Sequence, residues 1–216
     1  MLKDEVVSLN KQFLEQSYHV RDMFHKCITG LMNRDIEVLR DVIETDEPEV
    51  NHTEIKIEKM CINLLGLHQP AAKDLREIVM ILKINDDLER IADIVSNIAE
   101  SGMKILPEAN ALQKIDIKKM ADGTYQMLVD VIKSYIENNP KLATKICKSD
   151  DVIDRMRDTN LELIMKDMIA NPTSIEIDLH LLRISKSLER IADHVTNIAE
   201  DVVYIENAKI IKHHLN

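Results

Sequence analysis

The chain has 216 residues and a formal net charge of −10, with 45% hydrophobic and 31% charged residues. This balance is typical of a folded globular protein, and the negative charge repels phosphate backbones, so we expect no nucleic-acid partner. Only 4 glycines, 5 prolines and no tryptophan are present. So few turn-forming and aromatic residues exclude sandwiches and barrels and favour a few long helices.

The hydropathy pattern gives no sign of a membrane span, since no apolar run reaches the roughly 18 residues that a transmembrane helix needs. The N-terminal sequence MLKDEVVSLN lacks the apolar core of a signal peptide. The three cysteines are isolated and form no CxxC pair, which is typical of reduced thiols. We therefore expect a cytoplasmic protein.

Apolar periodicity and its interruptions predict four helical segments in each half of the chain. In the first half these segments cover about 3–32, 35–45, 48–67 and 72–104. In the second half they cover about 112–138, 140–148, 150–170 and 174–211. A short linker at 104–110 separates the halves, so we place two domains at 1–106 and 107–216.

The last long helix of each half carries an internal repeat. Residues 88–100 read LERIADIVSNIAE and residues 188–200 read LERIADHVTNIAE, with 11 of 13 positions identical. Within each copy, apolar residues recur at spacings of three and four and form one stripe along a helix. A match this dense marks a duplication. The sequence therefore predicts an all-α fold of two tandem, pseudo-two-fold-related three-helix bundles with long antiparallel helices.

An acidic row lies opposite the apolar stripe of these helices. At about 100° per residue, Glu89 and Asp93 point away from Ile91. Like charges four positions apart destabilise a helix, and no basic residue lies on that line to neutralise the pair. A bound cation would remove this cost. The same rows also include Asp86 and Asn97 in the first half, and Glu189, Asp193 and Asn197 in the second.

A second polar row lies on the helix that comes before each of these long helices in the sequence. It consists of Glu47, Asn51 and Glu54 in the first half and of Asp150, Asp154 and Asp158 in the second. If the two helices of a half lie side by side, two oxygen-rich rows face each other. All-oxygen ligands select hard cations such as Mg²⁺, Mn²⁺ or oxidised iron. We therefore predict metal ions at these rows, with a solvated acidic face as the alternative.

The sequence gives little support for enzymatic chemistry. A di-iron oxidase bundle needs two ExxH motifs, and Glu49 with His52 forms a single one at a helix start. The four glycines are isolated, so no phosphate-binding loop is present. We expect no catalytic residues and no enzymatic activity.

Three segments resemble the PhoU family, the phosphate-signalling accessory proteins of bacteria and some archaea. They are HQPAAKDLREI (68–78), NDDLERIADIVSNIAE (85–100) and SLERIADHVTNIAEDVVYI (187–205). The resemblance covers nearly the whole chain and implies a pair of three-helix bundles. The family's E(D)xxxD motif matches Glu89 with Asp93 and Glu189 with Asp193. Its partner motif matches Asp150 with Asp154, and Glu47 with Asn51. The asparagine departs from the pattern and removes one negative charge, so we expect the first site to bind metal less tightly or to hold fewer ions.

The resemblance also implies a function. PhoU-like proteins are associated with multinuclear iron or zinc clusters at these positions. They act as non-catalytic adaptors between the ATPase subunit of a phosphate ABC transporter and a sensor histidine kinase, and they repress the starvation response when phosphate is plentiful. Such a protein meets the membrane only through its partners, and long bundles with exposed faces suit a homodimer. The alternative is a metal-binding or metal-buffering helical bundle.

Overall fold

The computed structural model describes residues 2–108 and 110–207, without the side chains of Ala72 and Glu206. Within these ranges the chain is helical and contains no strand, and none of its helices combines the length and hydropathy that a membrane span requires. The α-helices are α1 (Leu2–Asn33), α2 (Ile36–Asp41), α3 (Glu47–His68), α4 (Ala72–Ile105), α5 (Ile117–Ile136), α6 (Pro140–Ala170) and α7 (Ile175–Asn207).

Two three-helix bundles follow each other along the chain. The first packs α1 against α3 and α4, and the second packs α5 against α6 and α7. The prediction of an all-α fold of tandem, pseudo-two-fold-related bundles is therefore confirmed. The predicted domain boundary between 106 and 107 lies just beyond the end of α4 and stays a prediction.

The prediction of separate short and medium helices is wrong for the second half. Helix α6 runs from Pro140 to Ala170 without interruption, because the polar run around Asp150 contains neither proline nor glycine to end it. The predicted extension of α7 to residue 211 lies partly outside the described residues.

In the first half, a π-helical turn at Val42–Asp46 joins α2 to α3. One residue more separates the helix cap Asp35 from Glu47 than separates the equivalent cap Asn139 from Asp150. A π-turn takes up one extra residue without ending a helix. It therefore keeps the carboxylate row of α3 in the same position as that of α6.

Both repeats turn from their first helix to their second in the same way. Arg34 and Asn138 adopt left-handed backbone conformations, with φ of 59° and 48°. The side chain of Asp35 then accepts hydrogen bonds from the first backbone N–H groups of α2, and that of Asn139 accepts one from Leu142 at the start of α6. These caps satisfy donors that a helix start leaves without partners.

The duplicated helices α4 and α7 pack against each other in antiparallel orientation and join the two repeats. Asp87 lies 2.8 Å from Nδ1 of His194, and Lys83 Nζ lies 2.5 Å from Asp201. Beside these polar pairs lie the apolar stripes of both copies, which are buried: Leu88, Ile91, Val95 and Ile98 in α4, and Leu188, Ile191, Val195 and Ile198 in α7. The repeated segment therefore forms the centre of the molecule.

We expect Ile91→Ala to lower the free energy of unfolding by about 2–5 kcal/mol, since it leaves a cavity in this centre where Ile91 is 0% exposed. Ile169→Ala is the matched control, because Ile169 is 80% exposed and should cost less than about 0.5 kcal/mol. Urea denaturation followed by circular dichroism measures both. Equal losses in the two variants would contradict the central role of α4.

Candidate functional site

The carboxylate row of the first repeat lies along the outer face that α3 and α4 form together. Glu89 is half-buried and Asp93 is exposed, while their neighbour Ile91 is buried beneath them. Burial raises the pKa of Glu89, and the charges of Asp93, Asp86 and Glu54 raise it further. Negative charge therefore accumulates on this face.

Glu54 of α3 faces Glu89 across the two helices. Burial raises the pKa of Glu54, and the carboxylates of Glu58 and Asp86 add to this effect. Asp86 itself pairs with the exposed Arg90, at 3.1 Å. Glu54 belongs to the predicted row, two helical turns after Glu47. Its proximity to Glu89 depends on the packing of α3 against α4, which the sequence pattern alone could not establish.

The two candidate asparagines of the first repeat have different surroundings. Asn51 donates a hydrogen bond to Glu47 Oε1 at 2.6 Å, and its own Oδ1 is buried without a hydrogen-bond partner. Asn97 accepts a hydrogen bond from Arg183 of α7 at 2.5 Å and donates to the backbone oxygen of Asp93. Asn51 thus has an oxygen in need of a partner, whereas Asn97 is held at the junction with the second repeat.

In the second repeat, Asp150 faces α7 from α6. Its Oδ1 is buried without a hydrogen-bond partner. Burial raises the pKa of Asp150 to about 6, and the nearby charges of Asp193, Asp154 and Glu189 contribute to the shift. Asp193 and Asn197 are exposed on successive turns of α7.

Arg157 is a residue of this face that the sequence reasoning missed. Its guanidinium lies 2.5 Å from Glu189 Oε1, 2.9 Å from Asp158 Oδ1 and 3.7 Å from Asp154 Oδ1. No basic residue lies on the line between Glu189 and Asp193 on α7 itself. The expectation that this pair is left unneutralised is nevertheless wrong, because Arg157 reaches Glu189 from α6. The position of Arg157 three residues after Asp154 and seven after Asp150 places it on the same face of α6. The spacing could therefore have placed Arg157 on this face, although it could not have paired it with Glu189.

Among the described residues, no three or more His, Cys, Asp or Glu side chains form a group that could hold a metal ion. The donor set nevertheless suits hard cations, because carboxylate oxygens face each other across helix pairs and two buried oxygens, on Asn51 and Asp150, lack partners. Metal binding stays a prediction at every candidate ligand.

Comparison with known proteins places this architecture in one family. The PhoU domain model matches residues 13–102 and 117–202, one copy in each half, so the chain belongs to the PhoU family. It is similar to the phosphate-specific transport system accessory protein PhoU homolog 1 of Thermotoga maritima, with 30% identity over 98% of this chain and 91% of that protein. The corresponding homolog of Aquifex aeolicus is 31% identical over 97% of this chain and 94% of that protein.

Solved structures of PhoU proteins have the same fold as this chain. The crystal structure of PhoU from Pseudomonas aeruginosa superposes with a TM-score of 0.92 at 27% identity, covering 97% of this chain and all of that one. The phosphate transport system regulatory protein PhoU from Streptococcus pneumoniae gives a TM-score of 0.89 at 27% identity, over 98% of this chain and 100% of that one.

We expect Asp150→Asn to stabilise the metal-free protein at pH 7. The pKa of Asp150 in the folded chain, about 6, exceeds the unfolded value of about 3.9. The folded state therefore binds more protons in this window, and stability falls as pH rises from about 4 to 6. The gain from Asp150→Asn should be full above pH 6 and absent below pH 4. Urea denaturation across this pH range, with chelator present, measures it.

The neighbouring variant Asp151→Asn serves as the control, because Asp151 is exposed and its substitution should change stability much less. A gain for Asp150→Asn that is the same at pH 4 and pH 7 would contradict the electrostatic explanation.

Proposed function

We propose that the chain is a cytoplasmic, non-catalytic regulator of phosphate uptake and phosphate-starvation signalling. It acts as an adaptor between the ATPase subunit of a phosphate ABC transporter and a sensor histidine kinase. When phosphate is plentiful, it represses the starvation response. It works as a homodimer and meets the membrane only through these partners.

Membership of the PhoU family carries this proposal. Relatives that match nearly the full length are named accessory proteins of a phosphate-specific transport system, and the structural neighbour from Streptococcus pneumoniae is named a regulatory protein of phosphate transport. Because the family match extends over both halves of the chain, we extend the regulatory role to the whole molecule.

The arrangement of the helices supports an adaptor. The pseudo-two-fold relation gives two similar outer faces, one on α3 and α4 and the other on α6 and α7. The faces differ in charge, because Glu54 lies opposite Glu89 in the first and Arg157 lies opposite Glu189 in the second. Complementary charge determines which partner a surface accepts, so two such faces suit two different partners.

The carboxylate rows add metal binding to the proposal. They would hold multinuclear iron or zinc, as the resemblance to the family implies. Manganese and magnesium are the alternatives, because oxygen donors suit hard cations. Burial raises the pKa of Glu89 and Asp150, and repulsion from neighbouring carboxylates raises it further. Positive charge there would offset both effects. The same rows favour the second candidate function, a metal-binding or metal-buffering protein without a phosphate role.

Deletion of the gene should derepress a phosphate-starvation reporter in high-phosphate medium, and expression of the parent chain should restore repression. Cellular metal content, measured in the same strains, separates the two candidates. An unchanged reporter together with altered iron or zinc content would contradict the regulatory role and favour metal buffering.

A further inference from the structure

The two repeats carry charges of opposite sign at two positions of their carboxylate faces. Glu54 on α3 lies opposite Glu89, and Arg157 on α6 lies opposite Glu189, the repeat equivalent of Glu89. One helical turn before these glutamates, Asp86 in the first repeat is replaced by Lys186 in the second. Two acidic positions of the first face are thus basic in the second.

Arg157 already provides the positive charge that a metal ion would bring to the second face. Its guanidinium contacts the carboxylates of Glu189, Asp158 and Asp154. An arginine side chain stays charged at all physiological pH values, and its planar donors match carboxylate oxygens closely. A metal ion at Glu189 would have to displace these contacts and would lie beside a second positive charge.

The glutamates at the centre of the first face, Glu54 and Glu89, are not bonded to a cation in this way. Among the hydrogen bonds and ion pairs of the described residues, none joins a basic side chain to the carboxylate of Glu54 or Glu89. The nearby Arg90 is bonded to Asp86 instead. Its charge still lowers the pKa of Glu89 at a distance. An incoming cation would therefore meet glutamates to which no basic side chain is directly bonded.

The loss of one negative charge at Asn51 predicts a weaker first site, but the positive charge of Arg157 on the second face reverses this order. We infer that Arg157 acts as a built-in counter-ion that keeps the second repeat largely closed to metal, so that metal ions bind first and most tightly in the first repeat. This inference rests on the metal-binding part of the proposed function. Asp150 retains an oxygen without a partner, so the second repeat keeps a weak site. Release of Arg157 from Glu189 would open that site fully.

Titration of chelator-treated full-length protein with Mn²⁺ tests this inference, with electron paramagnetic resonance measuring the free ion. Two double variants each disable one face: Glu89→Gln with Asp93→Asn for the first, and Glu189→Gln with Asp193→Asn for the second. Each is made with and without Arg157→Gln. Arg157→Lys, which keeps the charge, is the matched control.

We expect the protein with only the second face intact to bind Mn²⁺ about tenfold more weakly than the protein with only the first face intact, as expected for one added charge near a surface site. Arg157→Gln should recover about tenfold in the former and change nothing in the latter. Arg157→Lys should leave the second face weak.

Equal affinity of the two single-face proteins, or no effect of Arg157→Gln on the second face, would overturn the inference while leaving metal binding intact. Absence of Mn²⁺ binding in every protein, the parent included, would instead remove the metal-binding part of the proposed function and the inference with it. Circular dichroism of each variant verifies that it is folded.

Discussion

The antiparallel contact between α4 and α7 is the interaction on which the rest of the structure depends. Each helix buries the same apolar stripe, and the two stripes come from one duplicated segment. Burial of large aliphatic side chains is the main favourable term in folding, so this segment is constrained to remain apolar on one side. The opposite side of each copy of this segment therefore carries its carboxylate row at the surface.

The carboxylate rows oppose this stabilisation. Burial and neighbouring charges raise the pKa of Glu89 and Asp150, which means that folding holds both carboxylates where their charged form is disfavoured. The second repeat relieves part of this cost with Arg157, whereas the first has Glu54 in the equivalent position. The duplication has therefore preserved the scaffold while the charges on its two faces have diverged.

The sequence was sufficient to predict the bundles, because the repeat and its apolar spacing are properties of single helices. It also placed Glu89 and Asp93 away from the core. The sequence pattern did not predict that α6 is continuous, because a cluster of polar residues looks like the end of a helix when the packing of that helix is unknown. The π-turn before Glu47 was missed because it depends on register between helices.

The ion pair between Arg157 and Glu189 depends on packing in the same way. Residues 157 and 189 lie on different helices, so no local pattern pairs them. The contact of Asn97 with Arg183 likewise requires the junction of the two repeats, which a helical wheel cannot represent. The position of a residue on its own helix was predictable from the sequence, and its contacts with residues of other helices were not.

We propose that this scaffold links phosphate transport to signalling through its two faces. Tagged protein expressed at its native level should be purified from phosphate-replete cells, and the eluted proteins identified by mass spectrometry. We expect a transporter ATPase subunit and a sensor histidine kinase to be recovered with it. A chain that elutes without either partner and is loaded with metal would contradict the adaptor role and leave a metal-binding bundle of the PhoU family.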